Sequence, residues 1–308
     1  MTDRLYPLGL ESMARWIRDE LKTRDTIFGV GRALFFTPTP QDAFRASVFE
    51  QPLDTPVGVA AGPHTQMAQN IVVAWLCGAR FIELKTIQTL DELEVTKPCI
   101  DMEDAGYNVE WSQELRLHES LDEYITAWIL IHALHRLLGF PGDGPGVIFN
   151  MSVGYTMEGI LKPNVQAFLD TMNDASAEIA AARPALASIW PELRDLPIPA
   201  RLSDNVTLST MHGCPPADIG TICRYMLEQR NLHTYVKLNP TLLGPDRLRA
   251  VLNDELGYRD ITVPDEAFGH DITFADAANL IRELREVATA CGRSFGVKLS
   301  NTLEVINH

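Results

Sequence analysis

Between Val206 and Pro216 the sequence reads VTLSTMHGCPP. An apolar strand pattern ends in the hydroxyls of Ser209 and Thr210. His212 and Cys214 follow with Gly213 between them, and Pro215 and Pro216 open a helical pattern. Proline suits the first turn of a helix, so Cys214 stands just ahead of a helix N-terminus. The positive end of a helix dipole draws a thiol pKa from about 8.5 down to roughly 3.5–7.5. Cys214 is therefore a candidate acid or base near neutral pH, on a loop that Gly213 leaves free to open and close. His212 would tune that thiol or bind a substrate carbonyl. The alternative is that both side chains pack at a tight turn.

Lysines form a second group. Lys237 in VKLNPT (236–241) and Lys298 in VKLSNT (297–302) stand at the same phase of two similar strands, each with an Asn within three residues. Lys85, in ELKT, ends a third strand. Three cations and several amides around one rim suit an electron-rich, partly anionic ring cofactor; the plainer reading is that lysine caps a strand end and reaches solvent. His132 and His135 share one helical face with no carboxylate nearby, which favours an amphipathic helix over a metal pair, and no metal site is expected. The acidic run at 91–104 reads as a solvated loop.

The elements that would position these groups alternate. Strand-like runs at 56–62, 79–86, 146–152, 205–211, 234–241 and 295–302 are separated by helical patterns at 65–77, 119–139, 163–182, 216–230, 244–256 and 274–292. Several of the helical patterns end at a glycine: Gly78, Gly139 and Gly292. Alternation of this kind predicts βαβ units and a parallel sheet. The strands are nearly continuous apolar runs, as they must be when both faces are covered. Each turns small, polar or cationic at its C-terminal end, the edge where α/β folds build their sites. Residues 1–50 read as a helical extension packed on a barrel that occupies 51–308. GVAAGPHT is not a dinucleotide fingerprint, and the second strand ends in Lys85 with no acid to hold a ribose, so a nicotinamide-binding Rossmann domain is not expected.

The chain has 308 residues, 46% of them apolar and 22% charged, with a net charge of −15. Such acidity disfavours nucleic acid and anionic membrane surfaces as partners. No apolar run reaches transmembrane length, and the N-terminal residues, amphipathic and acid-bearing, read as neither signal nor transit peptide. Five scattered cysteines without a C-x-x-C argue against disulfide frameworks and clusters. The cytoplasm is the expected compartment, and homo-oligomerisation is left open.

These residues carry a resemblance. GVAAGPHTQMAQNIVVAWLCGARFIELKT resembles the first βαβ unit of the dihydroorotate and dihydropyrimidine dehydrogenase flavin barrels, and KPCIDMEDAGYNVEW resembles their substrate-side loop. Taken with FNMSVGY, LSTMHGCPP and VKLNPTLLG, the whole chain is similar to the family labelled selenate reductase subunits, whose N-terminal barrel is of that type. The resemblance implies an α/β fold of the (β/α)8 TIM-barrel type that binds FMN. Ala60, Ala61 and Gly62 would bring backbone close to the flavin ring. Lys85 and Thr86 would approach its pyrimidine edge, Asn150 would hydrogen-bond it, and Lys237 would stand near N1–C2. Asn301 would face flavin or substrate. Asn108, Asn239 and His64 are the substrate candidates, and Cys214 with His212 the catalytic pair.

Two features depart from the pattern. The dehydrogenases carry N-x-S-C-P, whereas Met211, His212 and Gly213 are inserted here, which leaves the equivalence of Cys214 open. The sequence also stops at SNTLEVINH, after the sixth strand, while the FMN phosphate site of such barrels uses strands seven and eight. The resemblance thus implies a barrel incomplete at its C-terminus, a fragment or one completed by another chain. The expected activity is oxidation or reduction of a C–C or C–N bond in a small heterocycle. Electrons would come from a partner domain or subunit bearing Fe–S clusters, FAD and an NAD(P)H site. The rivals are a non-catalytic scaffold barrel in a larger redox complex and a glutamate synthase-like flavin domain.

Overall fold

The computed structural model describes residues 5–87, 115–154, 156–209, 215–301 and 303–306. It divides into two compact units, Met1–Met151 with Lys162–Asp204, and Ser152–Leu161 with Asn205–His308.

The first unit opens with α1 (Leu10–Thr23), whose apolar face buries Met13, Ala14 and Ile17. Glu20 at its end accepts hydrogen bonds from Thr26 Oγ1 (3.1 Å) and the Gly29 amide (2.9 Å). These bonds tie the helix to an antiparallel pair, β1 (Thr26–Ile27) and β2 (Val30–Gly31). A second antiparallel pair follows, β3 (Ala46–Val48) with β4 (Gln51–Leu53).

Three parallel strands then form in chain order: β5 (Gly58–Val59), β6 (Phe81–Glu83) and β7 (Ile148–Val153). Between β5 and β6 lies α2 (Ala68–Leu76), and between β6 and β7 lies α3 (Leu117–Leu137), which packs on α2. Most of α3 is buried, as its apolar sequence requires, and Trp128 meets Phe149 edge-on at 5.0 Å. The helical pattern at 163–182 is two helices, α5 (Pro163–Asn173) and α6 (Ser176–Ile189). Asp174 leaves the helical region between them, and its carboxylate accepts the Ser176 amide at 3.0 Å. A local side-chain bond of this kind competes with helix continuation.

Helix α3 also buries a carboxylate. Glu123 is 2% exposed and accepts the Ala68 amide, a group at the start of α2 that no residue of α2 can satisfy, at 2.6 Å. Burial pushes its pKa up to about 7, with the neighbouring Asp122 adding to the shift and the Ala68 bond opposing it. The folded state therefore holds this proton more tightly than the unfolded state, so the stability it confers is present at low pH and is lost as pH rises towards 7. Replacing Glu123 with Gln keeps an acceptor for Ala68 and removes the titration. The variant should gain roughly 2–3 kcal/mol on wild type between pH 5 and pH 8. Urea unfolding at the two pH values reads this directly, and parallel stabilities would refute it.

The second unit starts with α4 (Met157–Ile160) and contains β8 (Asn205–Ser209), α7 (Pro216–Arg224), β9 (His233–Leu238), α8 (Pro245–Arg249), α9 (Glu266–His270), α10 (Phe274–Ala290) and β10 (Phe295–Leu299). Its three strands are parallel, β8 beside β9 beside β10. The two similar strand sequences are direct neighbours in register: Val236 pairs Val297, Lys237 pairs Lys298 and Leu238 pairs Leu299. Gly296 lies opposite Tyr235, and a Cβ there would fall 1.9 Å from the tyrosine ring. The glycine leaves the ring room to lie across the neighbouring strand. Helix α10 packs on α7, with Leu280 against Gly220 and an Arg224–Glu283 ion pair.

Candidate active site

In the first unit the C-terminal ends of β5, β6 and β7 share one edge. The chain leaves β5 through Ala60, Ala61 and Gly62. The Ala61 amide donates to Glu83 Oε2 at 3.0 Å, and the Gly62 amide to Thr65 Oγ1 at 3.2 Å. A Cβ at Gly62 would lie 2.6 Å from His64 Cε1, so the missing side chain is the space that the imidazole occupies. Glu83 and Asn150 are cross-strand partners, both buried, and Lys85 follows two residues on at 7% exposure. The Lys85 carbonyl accepts Tyr124 Oη at 3.3 Å, which anchors this strand end to α3. Thr86 is half-buried beside it.

His64 is half-buried, and its Nδ1 is buried without a hydrogen-bond partner of normal geometry among the described residues. Burial lowers its pKa, a bond with the Ala60 backbone acts the other way, and the Lys85 charge lowers it further. Burial and the Lys85 charge thus favour the neutral ring, and its Nδ1 sits buried at this edge. An unpaired buried polar atom is costly unless something binds it.

In the second unit the C-terminal ends of its strands carry Lys237, Asn239 and Asn301. The Asn301 amide nitrogen Nδ2 donates to Asn239 Oδ1 at 3.0 Å, and Asn239 Nδ2 donates to Asp271 Oδ1 at 2.8 Å. Thr241 Oγ1 donates to the other oxygen of Asp271 at 2.5 Å. The Asn301 backbone amide donates to the Leu238 carbonyl at 3.1 Å, which holds the residue beside the end of β9. Lys298 stands in register with Lys237, and Ser209 flanks Lys237 on the other side.

The structure thus brings together Ala60, Ala61, Gly62, His64, Lys85, Thr86 and Asn150 in one unit, and Lys237, Asn239 and Asn301 in the other. Asn108, His212 and Cys214 lie outside the described residues, as do Thr210, Met211 and the acidic run at 91–104. Two carboxylates escaped the sequence reading. Glu83 had a signal, since it shares the strand face of Lys85 at i−2. Asp271 had none, lying 32 residues from the asparagine it holds. On α3, His132 stacks edge-on against Trp128 at 4.7 Å, and burial drives its pKa down to about 4. Among the described residues no three His, Cys, Asp or Glu side chains gather as a metal site, and no helix is long and apolar enough to cross a membrane.

Residues 28–308 match the model of the family described as oxidoreductase YgfK, N-terminal TIM-barrel domain. The chain belongs to that family. Two curated relatives, the provisionally named oxidoreductase YgfK of Escherichia coli strain K12 and its counterpart in strain O157:H7, are each 45% identical over 327 residues. The match covers 100% of this chain but 31% of each relative, so the chain spans about a third of their length. The crystal structure of a ligand-free dihydroorotate dehydrogenase from Eimeria tenella aligns with 94% of this chain and 82% of its own. It does so at 13% identity and a TM-score of 0.41. The chain is thus a YgfK-type N-terminal TIM-barrel domain, and the C-terminal strand ends are where barrels place their chemistry.

That placement makes Gly62 testable. Alanine at this position drives the His64 ring out of its seat, since the new Cβ and the imidazole claim the same volume. The expected outcome for Gly62→Ala is at least about a tenfold weaker retention of any ligand that His64 contacts, the scale of one lost buried hydrogen bond. Desalting followed by absorption spectroscopy measures it, and unchanged retention would remove His64 from the site.

Proposed function

We propose that this chain is an FMN-dependent oxidoreductase domain acting on a small heterocycle, of the dihydropyrimidine or dihydroorotate dehydrogenase type. The observation that carries the reading is the His64–Lys85–Asn150 edge in a TIM-barrel oxidoreductase family, with a buried imidazole nitrogen awaiting a partner. The residues fit a flavin by their donor and acceptor chemistry: cations for an electron-rich ring, amides for its polar edge, and Ala60 to Gly62 as a close backbone approach. Lys85, Thr86, Asn150 and Lys237 would hold it, and Asn301 would face flavin or substrate. Bound FMN would supply hydride transfer to or from one ring carbon of the substrate.

The chain's own residues would do the rest. Lys237 would set a positive charge at this edge, which suits an electron-rich ring cofactor. His64 would offer its buried Nδ1 to the bound ligand. Cys214 moves the proton at the carbon next to the one that exchanges hydride, and His212 tunes that thiol. Asn108 and Asn239 orient the ring. The acidic surface gives no general attraction for an oxyanion, so an organic ring suits this site better than the selenate of the family label.

Electrons would reach the site from Fe–S, FAD and NAD(P)H centres on the remainder of a longer polypeptide or on a partner subunit. Cys77, Cys223 and Cys291, which form no disulfide among the described residues, suit the reducing cytoplasm we assign to it. The test is the visible spectrum of the purified full-length polypeptide and of this chain, before and after FMN is added and free ligand removed. Flavin retained by the long form and identified on release as FMN, distinct from FAD, supports the reading. A long form that stays colourless sinks it.

A further inference from the structure

We propose that Asp271 is a positioning residue that fixes the polarity of the Asn239 and Asn301 side-chain amides, so that Asn301 presents its carbonyl oxygen to a ligand N–H at this edge. The inference rests on the reading of the substrate as a nitrogen heterocycle and adds the donor that the substrate must carry.

An asparagine amide has one accepting end and one donating end, nearly equal in shape, and only its partners decide which end points where. A carboxylate accepts only. Asp271 therefore compels Asn239 to turn its nitrogen towards Asp271 Oδ1, at 2.8 Å. Asn239 Oδ1 is then left facing Asn301, which must answer with a donor, and its Nδ2 lies 3.0 Å away. That leaves Asn301 Oδ1, an acceptor with no partner among the described residues, as the free end of the chain of bonds. Asn239 and Thr241 are 6% and 5% exposed, so water does not readily exchange into these links.

Asp271 itself is held. It joins α9 to α10 through a short connection, and the Thr273 hydroxyl accepts the Asp276 amide at 3.2 Å to cap α10. Thr241 Oγ1 occupies the second carboxylate oxygen, which stops the carboxylate from turning away. A merely structural network would not need a single polarity. This one has a single polarity because one end is acceptor-only, and the consequence appears at the other end, on the strand-end edge with Lys237.

The experiment uses the full-length polypeptide and two probes, uracil and 1,3-dimethyluracil, which share a ring and its carbonyls but differ in N–H donors. Titration calorimetry on the wild type should show uracil bound at least about tenfold more tightly, the cost of leaving one acceptor unpaired. Asp271→Asn keeps size and shape but lets the whole chain of amides run either way, so the ratio should fall to within about threefold of one. Asn239→Ala breaks the link and should give the same loss; thermal melting shows that each variant is folded. Equal binding of the two probes by wild type, binding of neither, or an undiminished ratio in the folded variants overturns the proposal. The heats do not depend on colour, so absence of flavin bands would count against the flavin reading alone.

Discussion

Replacing Cys214 with alanine is expected to lower turnover of the full-length polypeptide by about 10²–10⁴-fold, the usual worth of one positioned acid or base. Pro215 is the N-cap residue of α7, and α7 begins at Pro216, so the cysteine precedes in sequence the end of a nine-residue helix that carries positive potential. If the thiol handles the proton, the alanine variant still accepts electrons from its donor, because hydride and proton leave the substrate at different carbons. Serine in the same place should be nearly as slow, since a hydroxyl cannot ionise in the range open to a thiol at a helix N-terminus. Stopped-flow reduction of the proposed flavin separates the half-reactions. Rates for Cys214→Ala that match wild type across the pH range would reassign the cysteine to packing and leave His212 or a substrate group to carry the proton.

The second large effect is on stability. Arg80, at the start of β6, has a side chain with 0% exposure. Its Nη1 donates to the carbonyls of Trp75 (2.6 Å) and Ala79 (3.0 Å), and its guanidinium lies 5.3 Å from the Trp75 ring centroid. Asp54 supplies the counter-charge, 3.5 Å from Arg80 Nε, and is shared with Arg45 at 2.9 Å. Burial lowers the Arg80 pKa, but a guanidinium does not give up its proton in a protein, so the charge stays. Asp54→Ala would leave it buried and uncompensated, at a cost of about 3–5 kcal/mol.

The chain has also shaped itself around that carboxylate. Gly146 has φ +59°, and a Cβ there would fall 2.3 Å from Asp54 Oδ2. Replacing the pair together, Arg80→Met with Asp54→Leu, removes charge and counter-charge at once and should come within about 1–2 kcal/mol of wild type. Urea unfolding distinguishes the cases. A single variant that loses less than about 1 kcal/mol would show that water reaches Arg80 after all. The pair sits at the N-terminal end of its strand, where barrels are held together, and leaves the opposite end to chemistry.

Much of the frame was legible beforehand. All six apolar runs contain a parallel strand, because an unbroken apolar stretch closed by small or polar residues satisfies a sheet covered on both faces. The glycines expected to end helices do so, with φ of +108° at Gly78, +68° at Gly139 and +64° at Gly292. Boundaries were less legible: the run at 79–86 yields only Phe81–Glu83 as strand, since a ladder needs a partner in register as well as a suitable sequence. The helical pattern at 163–182 did not reveal its break, because the Asp174–Ser176 bond depends on geometry that apolar spacing does not record.

For the site the division is similar. The residue types at the strand ends, the repeated VKL segments and the cysteine ahead of two prolines are properties of the sequence alone, since they follow from local order and from periods of two and 3.6 residues. Three things needed the tertiary structure. Lys237 and Lys298 became cross-strand partners only when β9 and β10 paired in register. The side-chain space that Gly62 leaves open proved to be taken by the His64 ring. Asp271 came to govern two asparagines 32 and 30 residues from it. Sequence order determines which groups a strand end can offer; which of them face one another, and with which end of each amide, is decided by long-range register and by loops that return from far along the chain.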